Sequence, residues 1–568
     1  MNRQPGGGAA SGAGPRRGLR RFGACTLDEA RGELTAGDGR RSVLRPKTLA
    51  LLLLLLERAG EVVSRETILD TVWPGLVVTD DSITQCVVEL RKALGPADAG
   101  MLHTLPRRGY QLQAGIGKYR VLSKLGDGAT SEVFLARDDF ADRDVAIKRL
   151  RPAPEPVGDG QVPEVSRHAG LFFAAEAALV GRLRHPNVVE ILDAVDDGPA
   201  PYLVMEYVPG VTLRRFCRPD ALLPLDQIVE IAFKCAMALG YCWRQGLIHR
   251  DIKPANVLAL MDGPRVVDVK ISDFGSVLDL GADRTQVLGV GSLAYMSPEQ
   301  LDGADLDARA DMYSLSAVLY HLVAGRPPFD SQQQTALIRQ IQQGHPSPLT
   351  GLRAGVSPAL DALVRKGLAR QREHRFDDWG EYAAQLSALV QRGEIPRATD
   401  AEVLDSERFT LLRALEFFSD FGDVALWEVV RRARWERHTP GHPLYSKGGR
   451  SNTFHIIAEG AVEVWREGRR IVALGAGTSV GEMAYLAPDP ELAVNSADVT
   501  VTSPSTMISF TPDSLRQLSL PTRALFDGAF IRVLVRRLHA AWNGPARPAH
   551  PVIDSVVSPH RPPREVSP

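Results

Sequence analysis

Residues 249–256 read HRDIKPAN, and a second string, DFG at residues 273–275, begins seventeen positions after Asn256. Together they provide two carboxylates, an ammonium and an amide, which belong to Asp251, Asp273, Lys253 and Asn256. One carboxylate can accept the proton of an incoming hydroxyl while the ammonium neutralises a migrating phosphoryl group. The amide and the other carboxylate can hold Mg²⁺ or Mn²⁺ against a triphosphate. An ordinary charged loop would produce both strings only by chance, so the pair predicts phosphoryl transfer from ATP.

Segments upstream of this pair carry groups that suit a nucleotide. The string LGDGATSEV at residues 125–133 contains glycines that let the backbone approach phosphates closely, with Ser131 where a third glycine is usual. VAIK at residues 145–148 is an apolar, strand-like run that ends in an amine, and YLVMEYV at residues 202–208 predicts a strand running into a hinge. The predicted ATP contacts are Leu125, Gly126, Gly128, Val133, Ala146, Lys148, Glu206 and Val208.

On these motifs, and on GSLAYMSPE at residues 291–299, the segment 118–388 resembles the eukaryotic-like Ser/Thr protein kinases of bacteria. The resemblance implies a bilobal α+β fold in which Glu176 holds Lys148. It assigns catalytic roles to Asp251, Lys253, Lys148 and Glu176, and metal binding to Asn256 and Asp273. The lysine two places after the catalytic aspartate is typical of Ser/Thr specificity in this family.

The arginine before the catalytic aspartate, Arg250, implies that a phosphate on the activation loop could order the site through charge-assisted hydrogen bonds. Thr285 is the first candidate acceptor and Ser276 the second, although an ordinary loop hydroxyl is an equally good interpretation of Thr285. The resemblance also implies two structural supports of the site, a backbone-bracing Asp311 and an Arg375 that pairs with Glu299.

The segment 20–114 predicts a small α+β domain of short strands, three helices and a terminal hairpin. In the third helix, apolar residues recur at helical spacing and polar residues occupy the other face. The apolar positions are Ile83, Val87, Leu90 and Leu94, and the expected outward positions are Thr84, Gln85, Glu89, Arg91 and Lys92. The hairpin near residues 104–110 carries two adjacent cations.

This arrangement resembles the winged-helix DNA-binding domain of OmpR-type bacterial transcription regulators, on strings that include LRPK at residues 44–47 and RGY at residues 108–110. The resemblance implies that helix 83–94 enters the major groove of double-stranded DNA and that the hairpin acts as a wing. Thr84 and Gln85 are then candidates for reading bases, and Arg91, Lys92, Arg107 and Arg108 for contacting phosphates. The alternative is a module that docks protein.

In the segment 408–542, short apolar strands separated by glycines predict a β-roll with flanking helices. The expected closing helix carries Phe526, Phe530, Leu534, Leu538 and Ala541 on one face. FHIIAEG at 454–460 and GEMAYL at 481–486 resemble the cyclic nucleotide-binding domains. The implied ligand pocket contains Gly481, Glu482, Asn495 and Ser496.

The resemblance gives Glu482 a ribose hydroxyl to bind, but Asn495 stands where the family has a phosphate-binding arginine. An amide donates a hydrogen bond without a charge, and a buried phosphate without a cation is poorly compensated. Binding of cAMP or cGMP is therefore left open, and docking or dimerisation is the favoured alternative. A homodimer is left open as well.

The length of 568 residues allows several domains, and a formal charge of −1 implies no global electrostatic partner. The longest apolar run is too short to span a bilayer and no signal peptide is evident, so we expect a cytoplasmic protein without membrane association. The five cysteines show no paired spacing. Disorder is expected for the leader 1–19 and the tail 543–568, with a linker over 389–407.

Together the modules predict a Ser/Thr protein kinase that phosphorylates protein substrates, including itself, and couples this activity to sequence-specific DNA binding and transcription, with the C-terminal module as a sensor. The alternative is an ATP-binding transcription regulator whose kinase fold acts as a switch without catalysis.

Overall fold

The computed structural model describes residues 19–22, 25–36, 39–58, 60–76, 78–112, 115–128, 131–151, 170, 173–174, 176–196, 201–274, 293–397, 403–450, 452–486 and 494–543. The chain divides into two compact units, Met1–Glu407 and Arg408–Pro568. The predicted leader, apart from Leu19, and the predicted tail, apart from Asn543, lie outside the described residues.

The first unit begins with a winged-helix arrangement. Its antiparallel sheet contains β1 (Leu19–Phe22), β2 (Cys25–Asp28), β3 (Glu33–Thr35) and β4 (Arg41–Val43), in sequence order. The helices are α1 (Pro46–Glu57), α2 (Arg65–Val72) and α3 (Asp80–Asp98), and the hairpin is β5 (Leu102–Leu105) with β6 (Gly109–Leu112). The positions predicted as apolar in α3 are buried, so the helical spacing identified the core face correctly.

Local signals set the ends of these helices. Pro46 occupies the first turn of α1, where its missing amide is tolerated. The Ser64 side chain caps α2 by accepting a hydrogen bond from the Thr67 amide at 3.1 Å. The expectation that Glu89 lies on the outward face of α3 is wrong, because its carboxylate accepts hydrogen bonds from the Arg45 amide at 3.2 Å and the Thr48 hydroxyl at 2.9 Å.

A bilobal fold follows in the same unit. The first lobe is a six-stranded sheet in the order β11-β12-β10-β9-β8-β7, made of β7 (Gly115–Ile116), β8 (Tyr119–Asp127), β9 (Ser131–Asp138), β10 (Arg143–Leu150), β11 (Ile191–Val195) and β12 (Tyr202–Glu206). Alternating side chains of β8, β9 and β10, such as Val121, Phe134 and Ile147, form its core.

The second lobe is mainly helical. It contains α4 (Leu225–Arg244), α5 (Pro298–Asp302), α6 (Ala308–Ala324), α7 (Gln334–Gln343), α8 (Pro358–Gly367) and α9 (Trp379–Gln391), with a small sheet of β13 (Val211–Thr212), β14 (Val257–Asp262) and β15 (Arg265–Ile271). Helix α4 is apolar on most of its circumference because it packs against α6, α9 and β15. β15 leads directly into Asp273.

The second unit is the expected β-roll. One sheet has the order β16-β23-β18-β21 and the other β17-β22-β19-β20. The strands are β16 (Arg434–His438), β17 (Pro443–Tyr445), β18 (Phe454–Glu459), β19 (Ala461–Arg466), β20 (Arg469–Gly475), β21 (Ser479–Val480), β22 (Asp498–Val501) and β23 (Ser505–Phe510). The helices are α10 (Asp405–Ala414), whose first turn belongs to the first unit, α11 (Asp423–Arg432), α12 (Glu482–Leu486), α13 (Pro512–Arg516) and α14 (Leu520–Asn543).

The closing helix α14 packs on the roll through only part of the predicted face. Phe526 and Phe530 are buried against Phe454 and the aromatic side chains that follow α10. Leu538, however, is 57% exposed, so the prediction that it shares the buried face is wrong. None of the described helices combines the length and apolar character needed to cross a lipid bilayer.

The predicted linker is not irregular throughout, because residues 405–407 form the first turn of α10. Asp405 and Ser406 take part in a buried ionic cluster on the second lobe. Lys234 on α4 is 3% exposed and donates to the Asp405 carboxylate at 2.9 Å and to the Val267 carbonyl at 3.0 Å. The hydroxyl of Ser406 donates to Glu230 at 2.6 Å. Burial raises the pKa of Glu230, while the neighbouring carboxylates outweigh burial and raise the pKa of Lys234.

We predict that Lys234→Met lowers the free energy of unfolding by about 3–5 kcal/mol, because the buried carboxylates around it lose their cation while the aliphatic packing is kept. Urea unfolding, followed by fluorescence, measures the change. The control Gln245→Met, at the exposed end of the same helix, should change stability by less than about 0.5 kcal/mol. Equal effects of the two substitutions would contradict the assignment.

Candidate functional site

The Lys148 ammonium joins three elements at the junction of the two lobes. Its Nζ atom lies 2.9 and 3.0 Å from the two carboxylate oxygens of Glu176 and 2.8 Å from Oδ1 of Asp273. Burial alone would lower the pKa of Lys148, but the carboxylates of Asp273 and Glu176 raise it above its ordinary value. The same ammonium holds the pKa of Asp273 below its ordinary value, whereas burial raises that of Glu176. The expected pairing of Lys148 with Glu176 is confirmed.

The loop that follows α4 places the side chains of Lys253 and Asn256 against the carboxylate of Asp251. Oδ2 of Asp251 accepts hydrogen bonds from Lys253 Nζ at 2.7 Å and from Asn256 Nδ2 at 2.9 Å. Asn256 also donates to the Asp251 carbonyl at 2.9 Å, which fixes the amide so that its oxygen is the group left for a metal. The arrangement can orient a hydroxyl beside Asp251 and place an ammonium next to it.

The backbone of this loop and that of the segment after β15 are each held, at one residue, in a conformation that non-glycine residues adopt rarely. Arg250 has a φ of 66° and Asp273 a φ of 61°. The buried Asp311 carboxylate accepts hydrogen bonds from the amides of His249 at 2.7 Å and Arg250 at 2.8 Å, as expected for a backbone brace. The surrounding hydrogen bonds thus sustain local strain at the site.

No role was predicted for His249 from the sequence. Its Nε2 atom lies 2.9 Å from the Ser272 carbonyl, and its ring packs against Phe274 with the centroids 4.5 Å apart. The imidazole therefore links the loop of Asp251 to the segment of Asp273. Its position as the first residue of the HRDIKPAN string is the sequence feature that could have indicated this linking role.

The predicted nucleotide contacts lie on the first lobe and at the hinge. Gly126 pairs with Val133 across β8 and β9, and the Gly128 amide donates to the Ser131 carbonyl at 2.8 Å. Ala146 is buried on β10 and Leu125 is half-exposed at the lobe edge.

The side chain of Glu206 is fixed at the hinge, where it accepts hydrogen bonds from Lys270 at 2.5 Å and from the Glu190 amide at 2.9 Å. Any contact of Glu206 with adenine is therefore left to its backbone, and Val208 lies two residues further along the hinge. The Arg375 guanidinium forms the expected bidentate pair with Glu299, at 2.6 and 2.8 Å. The proposed phosphate acceptors Thr285 and Ser276 lie outside the described residues.

On the winged-helix part, Thr84, Gln85 and Lys92 are exposed on α3, and Arg107 and Arg108 are exposed at the tip of the hairpin. These side chains therefore lie on the surface of the domain.

Arg91 is engaged within the domain, since its Nη2 atom donates to the Leu102 carbonyl at 2.7 Å and to the Thr104 hydroxyl at 2.8 Å. It ties α3 to the hairpin. Val88 is 58% exposed on the same face as Thr84, one turn further along the helix, and was not singled out from the sequence because apolar residues were assigned to the core.

In the β-roll, the predicted ligand residues do not form a vacant polar pocket. Glu482 is 1% exposed, and its carboxylate accepts a hydrogen bond from Arg537 Nη1 of α14. Asn495 pairs through its backbone with Gly448 and Gly449, and Ser496 is exposed beside it. Gly481 has a φ of 82° and packs against the Tyr445 hydroxyl, where any side chain would collide. In the described residues, the Glu482 carboxylate is thus engaged by Arg537.

Comparisons with known families agree with this geometry. Residues 119–385 match the family model of the protein kinase domain. This segment is similar to protein kinase domains over that whole range. Residues 39–112 match the family described as transcriptional regulatory protein, C terminal, and residues 435–520 match the cyclic nucleotide-binding domain. The winged helix, the bilobal kinase fold and the β-roll expected from the sequence are therefore confirmed.

Relatives of the kinase domain include serine/threonine-protein kinase PknB of Mycolicibacterium smegmatis, which is 37% identical over 52% of this chain and 46% of that protein. PknB of Mycobacterium leprae is 36% identical over 52% of this chain and 46% of its own length. A probable serine/threonine-protein kinase of Streptomyces coelicolor is 34% identical over 48% of this chain and 40% of that protein. The chain thus spans somewhat less than half of these relatives.

We predict that Asp311→Ala releases the backbone of the loop around Asp251, because two buried amides lose their acceptor, at a cost of about 1–3 kcal/mol each. Hydrogen–deuterium exchange should show lost protection in the peptide that contains His249 and Arg250. Peptides from β9 and β10 should keep their protection, and the exposed control Asp305→Ala should resemble wild type. Unchanged exchange at residues 249–250 would rule out the bracing role.

Proposed function

We propose that the chain is a Ser/Thr protein kinase that transfers the γ-phosphoryl group of ATP to hydroxyls of protein substrates, including its own. The observation that carries this proposal is the joint placement of Asp251, Lys253 and Asn256 around one carboxylate, with Lys148, Glu176 and Asp273 paired nearby. Each chemical group that phosphoryl transfer requires is present, and the named relatives are serine/threonine-protein kinases.

In this proposal Asp251 orients the substrate hydroxyl and accepts its proton, while Lys253 compensates the charge that develops on the phosphoryl oxygens. Lys148, positioned by Glu176, binds the α and β phosphates. Asn256 and Asp273 would hold Mg²⁺ or Mn²⁺, which supplies neutralising charge to the phosphates when bound. Gly126 and Gly128 would allow the backbone between β8 and β9 to approach the phosphates closely.

The Lys148–Asp273 contact has a consequence for the binding of ATP. Lys148 divides its hydrogen bonds between Glu176 and Asp273, so it must exchange the contact with Asp273 for phosphate oxygens while Glu176 keeps it in place. The low pKa of Asp273 keeps this carboxylate ionised and ready for a metal at neutral pH. We keep Thr285, and then Ser276, as the proposed acceptors of an activating phosphate that Arg250 would bind.

We further propose that the N-terminal module, over residues 20–114, binds double-stranded DNA and couples the kinase module, over 118–388, to transcription. The exposed Thr84 and Gln85 would read bases, and Lys92, Arg107 and Arg108 would contact phosphates. Arg91 supports this surface from within by fixing α3 to the hairpin. Access to DNA requires a cytoplasmic location, and the module at 408–542 would regulate the other two.

For the kinase, Asp251→Asn should lower incorporation of radiolabel from ATP in the presence of Mg²⁺ by about 10²–10⁴-fold, because the proton acceptor is lost. ATP binding should persist, since Lys148 and Glu176 are unchanged. Asp262→Asn, in the exposed β14–β15 turn, is the matched control and should label like wild type. If wild type binds ATP but takes up no label, and phosphorylates no added protein, the chain is instead an ATP-switched regulator without catalysis.

For DNA binding, the double substitution Arg107→Ala/Arg108→Ala should weaken the affinity for duplex DNA. It should also reduce the slope of log K against log salt by about 0.9 for each lost phosphate contact. Fluorescence anisotropy with a mixed-sequence duplex at several salt concentrations measures both. The control Arg31→Ala/Arg41→Ala removes two exposed arginines from the N-terminal sheet and should leave the slope unchanged. Identical slopes for both double variants would argue for a protein-docking module.

A further inference from the structure

The closing helix α14 reaches back onto the predicted ligand residues of the β-roll. Arg537 donates from Nη1 to the buried Glu482 carboxylate and from Nη2 to the Ser479 carbonyl at 2.5 Å. The other Glu482 oxygen, Oε2, is buried and has no hydrogen-bond partner among the described residues. Compensation of this buried charge therefore comes through Arg537, which lies beyond the residues that match the cyclic nucleotide-binding family.

The segment that should bind a phosphate supplies no cation of its own. Between Glu482 and Asn495 the only charged residues are Asp489 and Glu491, both acidic. This segment would therefore supply no counter-charge from its own sequence to a cyclic phosphate. A ribose hydroxyl would in addition have to reach the buried Oε2 oxygen of Glu482 or displace Arg537 from Oε1, and displacement would leave that guanidinium without its partner.

The remainder of α14 is arranged to keep Arg537 in this position. Phe526 and Phe530 fix the N-terminal half of the helix in the aromatic core of the unit. Arg532 pairs with Asp420, and Arg536 lies 2.7 Å from Glu416 on the surface. By contrast, Ile531, Val535 and Leu538 lie exposed along the outer face, and Val533 and Leu534 are only partly buried. Apolar burial therefore contributes less to the C-terminal half, and the polar contact with the buried Glu482 adds to it.

We infer that Arg537 is a built-in ligand of the C-terminal module. It occupies Oε1 of the carboxylate that a cyclic nucleotide would need, while Oε2 is buried, so the module binds neither cAMP nor cGMP and is held closed by its own helix. The C-terminal half of α14 is released when the Arg537–Glu482 pair breaks. The module then responds to whatever moves α14, rather than to a diffusible nucleotide. This inference does not depend on kinase activity or on DNA binding.

The first test is titration of the full chain with cAMP and with cGMP by isothermal calorimetry. No heat of binding is expected at millimolar nucleotide. Saturable binding of either nucleotide by the wild-type chain overturns the inference.

The second test is hydrogen–deuterium exchange of α14 in the full chain. Arg537→Gln should raise the exchange rate of peptides covering residues 531–543 by about tenfold or more, because Glu482 loses its cation. Glu482→Gln/Arg537→Gln should restore protection to within about threefold of wild type, since no buried charge is then left unpaired. The neighbouring control Arg536→Gln, whose partner Glu416 is exposed, should change exchange by less than about threefold.

These variants separate a specific pair from a general loss of charge on the helix. Equal effects of Arg537→Gln and Arg536→Gln overturn the inference. It is likewise overturned if the double variant exchanges as fast as Arg537→Gln alone.

Discussion

The ion pair of Lys148 with Glu176 and Asp273 is the contact on which the central domain depends. It forms only when strand β10, the helical turn of Glu176 and the segment after β15 meet at one point. An ammonium buried between two carboxylates is stable only at close range, so a small displacement of either lobe would leave a charge uncompensated. The contact therefore couples the alignment of the lobes to the position of Asp273, the proposed metal ligand.

Strain in the backbone complements this electrostatic constraint. Arg250 and Asp273 both adopt positive φ angles, and neither is glycine. A chain would relax from such conformations unless neighbouring groups opposed it. Asp311 binds the amides on one side, and His249 links the two strained segments through the Ser272 carbonyl and the Phe274 ring. The geometry of the loop thus depends on Asp311 and His249, which are not among the residues proposed to act on the substrate.

Sequence reasoning succeeded where the signal is local. Helical spacing identified the buried face of α3, and a contiguous motif predicted that Asp251, Lys253 and Asn256 lie together, because they are only a few positions apart in one loop. It missed distant partners that no family motif covers, although it predicted the pairs of Lys148 with Glu176 and of Arg375 with Glu299. Lys234 and Asp405 are 171 positions apart and Arg537 and Glu482 are 55 apart, and no short string encodes either pair. The exposure of Leu538 shows the same limit, because periodicity predicts a face but not how far along a helix the partner surface extends.

Among the buried ion pairs of the described residues, those of Lys148, Lys234 and Arg537 differ in whether the cation can exchange its partner. Replacing a buried pair with apolar side chains is often neutral for stability, so charge is expected to persist where it does something else. At Lys148 the ammonium can exchange a carboxylate for phosphate oxygens, since the site faces the nucleotide cleft. At Lys234 the cation is enclosed by protein groups and can only hold the start of α10 in place. Arg537 is intermediate, with 37% of its side chain exposed against 2% for Glu482, so water can receive the guanidinium if α14 moves. An ion pair with one buried and one accessible side chain can break when the accessible side chain moves into water. An enclosed ion pair such as that of Lys234 is expected to stay formed in the folded protein.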